Sequence, residues 1–208
     1  MSTMATRLVS ELTERGETLS FCESLTAGLA SATVASVPGA SAVLRGGLIT
    51  YATEVKSHFL HQPVADIEAA GVVSGETALA MARAAVAETA ADWGIGLTGV
   101  AGPDLQEGKP AGTVYIGIYS PGRVAFSQLL SGLGKERNEI REATVAAAKL
   151  GADLVYLNTA FAGPQLVDVL ERESPTVVVH DEAKAGRLRP VLAGILRTLA
   201  DLAPDLKG

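Results

Sequence analysis

A repeated order of strand, tight turn and helix is the feature that most limits what this 208-residue chain can fold into. Residues 18–22 alternate as a strand does, residues 23–28 form a turn, and an alanine-rich helical run follows. The order recurs over residues 48–60, where a strand precedes a short helix. A longer helix over residues 74–91 then leads into an apolar strand at 95–98. This alternation predicts an α/β protein, because each crossover helix covers a face of the sheet.

A hairpin is predicted after these crossovers. Residues 113–119 and 124–130 both alternate as strands and flank a Pro-Gly pair, which is typical of turns. The hairpin adds antiparallel strands to a sheet whose crossover connections are parallel. The sequence therefore predicts an α/β sandwich with a mixed sheet, flanked by helices over residues 3–15 and 136–157.

The character of the chain changes after about residue 159. We assign residues 1–160 to one domain and residues 161–208 to a C-terminal extension with a strand over 176–180 and an amphipathic helix over 188–202. The apolar stripe of that helix must be buried against another surface, since its exposure would favour aggregation. We expect it to pack on the domain or, the option we favour, to form a contact between subunits.

Composition excludes several classes of function. The formal net charge is -6, which argues against binding to nucleic acids or to anionic membranes. Hydrophobic residues make up 48% and charged residues 19%, as expected of a globular chain with a substantial core. The sequence has no apolar stretch long enough to span a membrane, and we expect no leader segment, so a cytoplasmic location is predicted.

Cysteine and histidine offer little metal or disulfide chemistry. The single cysteine, Cys22, excludes an intramolecular disulfide and lies in a strand pattern typical of a small core residue rather than a nucleophile. His58 and His61 are three residues apart, but a metal site needs further ligands that the neighbouring sequence lacks. We expect no metal and no cofactor.

A loop rich in glycine and proline spans residues 99–112. It contains Gly-Lys but fails the phosphate-loop pattern, because position 103 is proline and Lys109 is followed by Pro110 rather than by Ser or Thr. Hydrolysis of a nucleoside triphosphate is therefore not expected. A surface loop and a binding loop both remain open as interpretations.

Ser24 lies where a predicted strand turns into a helix. Its hydroxyl is expected near unsatisfied helix amides, which suit an anion or a developing oxyanion, although an ordinary N-cap serine has the same pattern. A hydrolytic serine also needs a base, and no histidine is suitably placed. Lys56 can fill that role if burial lowers its pKa, whereas its local pattern alone is typical of a surface lysine.

Five ordered motifs resemble those of the CinA C-terminal domain family. They lie at residues 23–28 (ESLTAG), 46–56, 71–74, 98–114 and 131–141. The resemblance implies a three-layer α/β/α sandwich that forms homo-oligomers. It also implies a nicotinamide-nucleotide amidase, which hydrolyses the carboxamide of nicotinamide mononucleotide to nicotinate mononucleotide and ammonia.

The resemblance also implies which residues act. Ser24 would be the nucleophile, Lys56 its base, and Tyr51 a residue that tunes Lys56 or touches the substrate. Arg137 and Arg141 are four residues apart and so share a helix face, where they either grip a phosphate or form a solvated basic stripe. The remaining positions assigned to substrate binding are Glu23, Thr26, Gly28, Gly47, Thr50, Gly99 and Gly102.

The chain departs from the family pattern at several positions. Leu25 replaces the usual cysteine, Ala27 the usual glycine, and Thr53 the usual asparagine, which leaves a hydroxyl as a helix cap. The loop after Asp104 lacks the usual glycine run. These departures support an alternative function, a catalytically weak nucleotide-binding protein associated with competence or stress.

Overall fold

The computed structural model describes residues 4–154 of the chain. Its helices are α1 (Met4–Arg15), α2 (Leu29–Ala35), α3 (Thr53–Leu60), α4 (Val64–Ala70), α5 (Gly75–Thr89) and α6 (Arg137–Leu154). Its strands are β1 (Leu19–Glu23), β2 (Leu44–Ile49), β3 (Trp93–Gly99), β4 (Val114–Ser120) and β5 (Val124–Leu130). No helix in this range is long and apolar enough to cross a membrane. The extension assigned to residues 161–208, with its strand, helix and subunit contact, lies outside the described residues.

The strands of this range form one mixed sheet in the order β2-β1-β3-β4-β5. β1 pairs in parallel with both β2 and β3. β4 pairs antiparallel with β3 and with β5, and β4 and β5 are the predicted hairpin. The mixed sheet predicted from the sequence is confirmed.

Helices cover both faces of the sheet. Gly47 on β2 faces α2, where a Cβ on this glycine would lie 2.2 Å from Ser31 Oγ. The next residue, Leu48, points the other way and packs with its neighbour Cys22 against Met81 of α5. Because successive residues of a strand point to opposite faces, α2 and α5 lie on opposite sides. The α/β/α sandwich is confirmed.

Glycines let α5 lie directly against the middle of the sheet. A Cβ on Gly94, Gly96 or Gly117 would lie 2.0 to 2.2 Å from a carbonyl oxygen of Ala78 or Ala82 in α5. Gly96 and Gly117 are register partners on β3 and β4. Any side chain at these positions would have to push backbone atoms apart in a close-packed interior. These glycines therefore set the distance between α5 and the sheet.

The helix caps predicted from the sequence are confirmed for α5 and not for α3. Ser74 caps α5 as the sequence predicts, since its Oγ accepts a hydrogen bond from the Thr77 amide at 3.1 Å. The prediction of a Thr53 cap is wrong, because Ala52 precedes α3 and no side chain caps that helix. α4 has no counterpart in the sequence prediction, because its seven residues bury only Ile67 and so show no helical period.

β2 begins at Leu44, earlier than the start predicted at residue 48. Gly46 and Gly47 interrupt the apolar alternation there, and glycine has a low strand propensity. The segment is held as a strand by its backbone pairing with β1. Pairing between distant segments leaves no mark on the local pattern.

We expect replacement of Gly96 by alanine to destabilise the protein by about 3 kcal/mol, because the added methyl group must displace the carbonyl of Ala78. Urea unfolding of the purified chain measures the change. Gly122→Ala is the control: that glycine has φ +70° with no atom near its missing Cβ, so only backbone strain of about 1 kcal/mol is expected. Equal losses in the two variants would contradict the close-packing interpretation.

Candidate active site

The catalytic residues predicted from the sequence lie at the carboxyl ends of neighbouring parallel strands. Ser24 follows β1 directly, and Tyr51 follows β2 by two residues. Lys56 lies on α3, the helix that starts after β2. In open α/β sheets, ligands bind at the carboxyl ends of the parallel strands. The binding site lies beside a strand from which successive crossover connections run in opposite directions. β1 is such a strand, since its neighbours are β2 and β3.

Ser24 and Lys56 are in direct contact. Lys56 Nζ donates a hydrogen bond to Ser24 Oγ at 2.9 Å and to the carbonyl oxygen of Tyr51 at 3.2 Å. Ser24 is 8% exposed and Lys56 only 1%. The surface-lysine interpretation is therefore wrong. The N-cap interpretation of Ser24 is also wrong, because the residue that precedes α2 is Gly28.

Burial changes the pKa of Lys56. Desolvation lowers the pKa of Lys56, because an ammonium group is disfavoured away from water. Charges on Cys22 and Glu107 act in the opposite direction. Burial raises the pKa of Cys22 to about 11, so its thiol is uncharged at neutral pH and only Glu107 then opposes the effect of burial. Lys56 thus loses its proton more readily than an ordinary lysine, which favours a role as a general base.

Glu23 organises the start of α2. Its buried carboxylate accepts hydrogen bonds from the amides of Gly28, Ala30 and Ser31 at 2.9 to 3.1 Å, and from Ser31 Oγ at 2.6 Å. The side chain of Glu23 thus bonds within the protein, in place of the substrate contact assigned to it. The expectation that the first amides of this helix hold an oxyanion is wrong, because Glu23 already occupies them.

The turn after Ser24 is held from the other side by α6. Arg141 donates from Nε to the carbonyl of Leu25 at 3.1 Å and from Nη2 to the carbonyl of Thr26 at 3.0 Å. The Thr26 hydroxyl is fully buried and has no hydrogen-bond partner among the described residues. Such an orphaned group costs about 1–3 kcal/mol in a folded protein. Ala27, which replaces the family's glycine, is exposed and has the left-handed φ of 49°.

Tyr51 and Arg137 form an exposed polar edge beside the pair. The Tyr51 hydroxyl accepts a hydrogen bond from Arg137 Nη2, and Arg137 Nη1 donates to the carbonyl of Gly102 at 2.9 Å. Tyr51 is 55% exposed. Both arginines of α6 therefore donate hydrogen bonds to residues near Ser24, although Arg137 is exposed and Arg141 is partly buried. A phosphate contact of either arginine stays a prediction.

The other assigned binding positions have packing roles. Thr50 is fully buried and its amide donates to the carbonyl of Glu23 at 2.8 Å. The glycines at positions 28, 47, 99 and 102 each have protein atoms within 3.2 Å of the place where a Cβ would lie. These contacts explain why the positions are small or buried. A substrate contact at any of them stays a prediction.

Glu107 acts on Lys56 through its charge and was missed by sequence reasoning. Its carboxylate accepts hydrogen bonds from the amides of Val72 and Val73 at 2.7 and 3.1 Å, and Lys109 donates to it at 3.3 Å. Burial alone would raise the pKa of Glu107, but these hydrogen bonds outweigh burial and lower it, so the group is charged at neutral pH. The loop over residues 99–112 is thus attached to the segment before α5, and the charge of Glu107 acts on Lys56. No local signal distinguishes Glu107 from an ordinary loop glutamate.

The histidine and cysteine side chains of the described residues have other neighbours. Within residues 4–154, no group of three or more His, Cys, Asp or Glu side chains is arranged to hold a metal ion. His61 instead lies 3.0 Å from Glu88 at the surface. Cys22 is a buried core residue, as the sequence predicts.

Comparison with known proteins places these features in a family. The model of the CinA C-terminal domain matches residues 1–152, and the chain belongs to this family. A competence-damage inducible protein from Streptococcus pneumoniae is 44% identical over 147 residues, which cover 71% of this chain and 35% of the relative. The chain thus spans about a third of the length of that relative.

Solved structures show the same fold. The competence/damage inducible protein CihA from Agrobacterium tumefaciens is 30% identical, with a TM-score of 0.69 over 74% of this chain and 93% of the other. A CinA superfamily protein from Klebsiella pneumoniae is 25% identical, with a TM-score of 0.69 over 74% and 96% of the two chains.

We expect Ala27→Gly to stabilise the protein by up to about 1 kcal/mol, because glycine adopts a left-handed φ without the cost that a Cβ brings. Thermal unfolding measures the effect. Ala35→Gly, in the last turn of α2, is the matched control and should destabilise, since glycine weakens a helix. A loss of stability in Ala27→Gly would show that the turn is not strained.

Proposed function

We propose that the protein is a serine–lysine amidase that hydrolyses the carboxamide of nicotinamide mononucleotide. The observation that carries this proposal is the 2.9 Å contact between Ser24 Oγ and the Nζ atom of Lys56, a lysine with 1% exposure and a lowered pKa. A serine in contact with a desolvated lysine is a nucleophile in contact with its base. The family resemblance supplies the choice of substrate.

Acylation follows from this geometry. Neutral Lys56 accepts the proton of the Ser24 hydroxyl as Oγ forms a bond to the carboxamide carbon, and the carbonyl π electrons move to oxygen. The C–N bond then breaks as the protonated Lys56 gives its proton to the departing nitrogen, which leaves as ammonia. The product of this half-reaction is an ester of Ser24 with neutral Lys56 restored.

Deacylation repeats the steps with water. Lys56 accepts a proton from a water molecule as the water oxygen bonds to the ester carbon, and the C–O bond to Ser24 breaks with return of the proton to Oγ. The carboxylic acid product loses its proton to solvent. One water is consumed and one ammonia is released for each turnover, so no redox partner is required.

The surroundings of the pair suit a nucleotide. Arg137 presents a guanidinium beside the exposed Tyr51 ring, and a guanidinium binds phosphate by paired hydrogen bonds. The exposed side chains of Ile49 and Val55 provide apolar surface on the adjoining elements, which suits an aromatic ring. The cytoplasmic location and the homo-oligomer expected from the sequence belong to the same proposal.

A second candidate is a nucleotide-binding protein with little or no catalytic activity. The strained Ala27 in the turn beside the nucleophile favours it, since the departure from glycine lies next to the reacting group. The names of the relatives concern competence and damage and mention no reaction. Binding without turnover is the property that separates this candidate from the amidase.

We expect the full chain to release ammonia from nicotinamide mononucleotide and both Ser24→Ala and Lys56→Met to release none above background. Coupled measurement of ammonia tests this. Lys56→Met should keep or gain stability, because it replaces a desolvated amine with an apolar chain of similar length. Ser36→Ala and Lys135→Met, both at exposed positions, should retain full activity. Nucleotide binding by calorimetry with no ammonia released would favour the second candidate.

We expect Glu107→Gln to move the acid limb of the kcat/KM profile to lower pH. The negative charge of Glu107 favours the ammonium form of Lys56, so its removal lowers the pKa of Lys56 further and makes the neutral base available in more acidic solution. Glu11→Gln, which removes a surface carboxylate paired with Arg7, is the control and should not move the limb. A shift to higher pH would contradict the assignment of the limb to Lys56.

A further inference from the structure

The backbone amides near the nucleophile are almost all in use. Those of Gly28, Ala30 and Ser31 donate to Glu23, and that of Ser24 donates to the carbonyl of Leu97. The amides at positions 27 and 29 donate to carbonyls within the turn itself. The start of α2 therefore offers no free donor to a ligand at Ser24.

The two residues directly after the nucleophile are different. The amides of Leu25 and Thr26 donate to no acceptor within the described part of the chain. The Thr26 hydroxyl is a third polar group of this turn without a partner there, although the residue is fully buried. Buried polar groups in proteins are normally paired, so the two unpaired amides call for a partner that arrives with a ligand. The Thr26 hydroxyl is closed to solvent, so a ligand at Ser24 does not reach it.

Arg141 holds the peptide that carries one of these amides. Its Nε donates to the carbonyl of Leu25, and this carbonyl and the Thr26 amide belong to the same peptide unit. A charged donor on the carbonyl polarises that unit and increases the donor strength of its N–H group. The second bond, from Nη2 to the Thr26 carbonyl, holds the next peptide in place.

We propose that the amides of Leu25 and Thr26 bind the oxyanion that forms when Ser24 attacks, and that Arg141 is the positioning residue of this oxyanion site. The inference rests on the proposed hydrolase function. It agrees with the chemistry of other serine hydrolases, in which the amide of the residue after the nucleophile donates to the oxyanion. It also gives Arg141 a role other than the phosphate grip expected from its spacing.

Substitution of Arg141 tests the positioning role. Arg141→Ala should lower kcat more than it raises KM, and millimolar guanidinium should restore part of the rate by taking the place of the missing group. Arg45→Ala is the matched control, since Arg45 also donates to a backbone carbonyl but lies at the start of β2. It should neither lose rate nor respond to guanidinium. A defect in Arg141→Ala that appears only in KM would overturn the positioning role.

Binding of a boronic acid inhibitor tests the oxyanion site independently of which substrate the protein hydrolyses. With pyridine-3-boronic acid, Ser24 Oγ bonds to boron, its proton passes to Lys56, and a boron hydroxyl takes the place of the oxyanion. Boron NMR should detect this adduct in the wild type, with at least about tenfold weaker binding in Arg141→Ala. Adducts of equal strength in the two proteins would overturn the oxyanion site alone.

The remaining outcomes concern the proposed function. A wild-type adduct without ammonia release from nicotinamide mononucleotide would reject the proposed substrate and leave the oxyanion site supported. A wild-type protein that forms no adduct at Ser24 would overturn both the nucleophile and the oxyanion site.

Discussion

The active site depends on the close packing of α5 against the glycines of β3 and β4. Because Gly96 and Gly117 lack side chains, the backbone of α5 lies directly against the sheet. α3 packs against α5, and Leu60 at the end of α3 contacts the core cluster that includes Met81 of α5. Lys56 is carried by α3. The depth at which α5 lies on the sheet therefore determines where the base meets the nucleophile.

Two carboxylates serve the Ser24–Lys56 pair in different ways. Glu23 binds the first amides of α2 and so shapes the turn in which Ser24 lies. Glu107 anchors a loop to the segment before α5 and opposes the effect of burial on the pKa of Lys56. Among the described residues, the hydrogen-bond partners of Lys56 Nζ are a hydroxyl and a carbonyl rather than a carboxylate. An amine in these surroundings can lose its proton without leaving a buried anion unpaired.

The sequence predicted those helices and strands that are stabilised by side chains within the element itself. The strand before Ser24 and the Ser74 cap of α5 are of this kind, since apolar alternation and a capping hydroxyl act over a few residues. The early start of β2 and the helix α4 were missed, because glycines and a single buried isoleucine carry no such pattern. The prediction that Thr53 caps α3 was wrong for a related reason. Threonine is a suitable capping residue, but the backbone of α3 is already helical at this position.

By itself the sequence determined the α/β class, the mixed sheet and, through its motifs, the identity of Ser24 and Lys56 as partners. Only the tertiary structure decided what each polar group of the site bonds to. Glu23 was assigned to substrate and binds α2, Arg141 was expected at a phosphate and holds the turn after the nucleophile, and Glu107 was not expected at all. These pairs join residues that are brought together by strand order and helix packing. A hydrogen bond of that kind depends on positions set by the whole fold, and no local stretch of sequence records it.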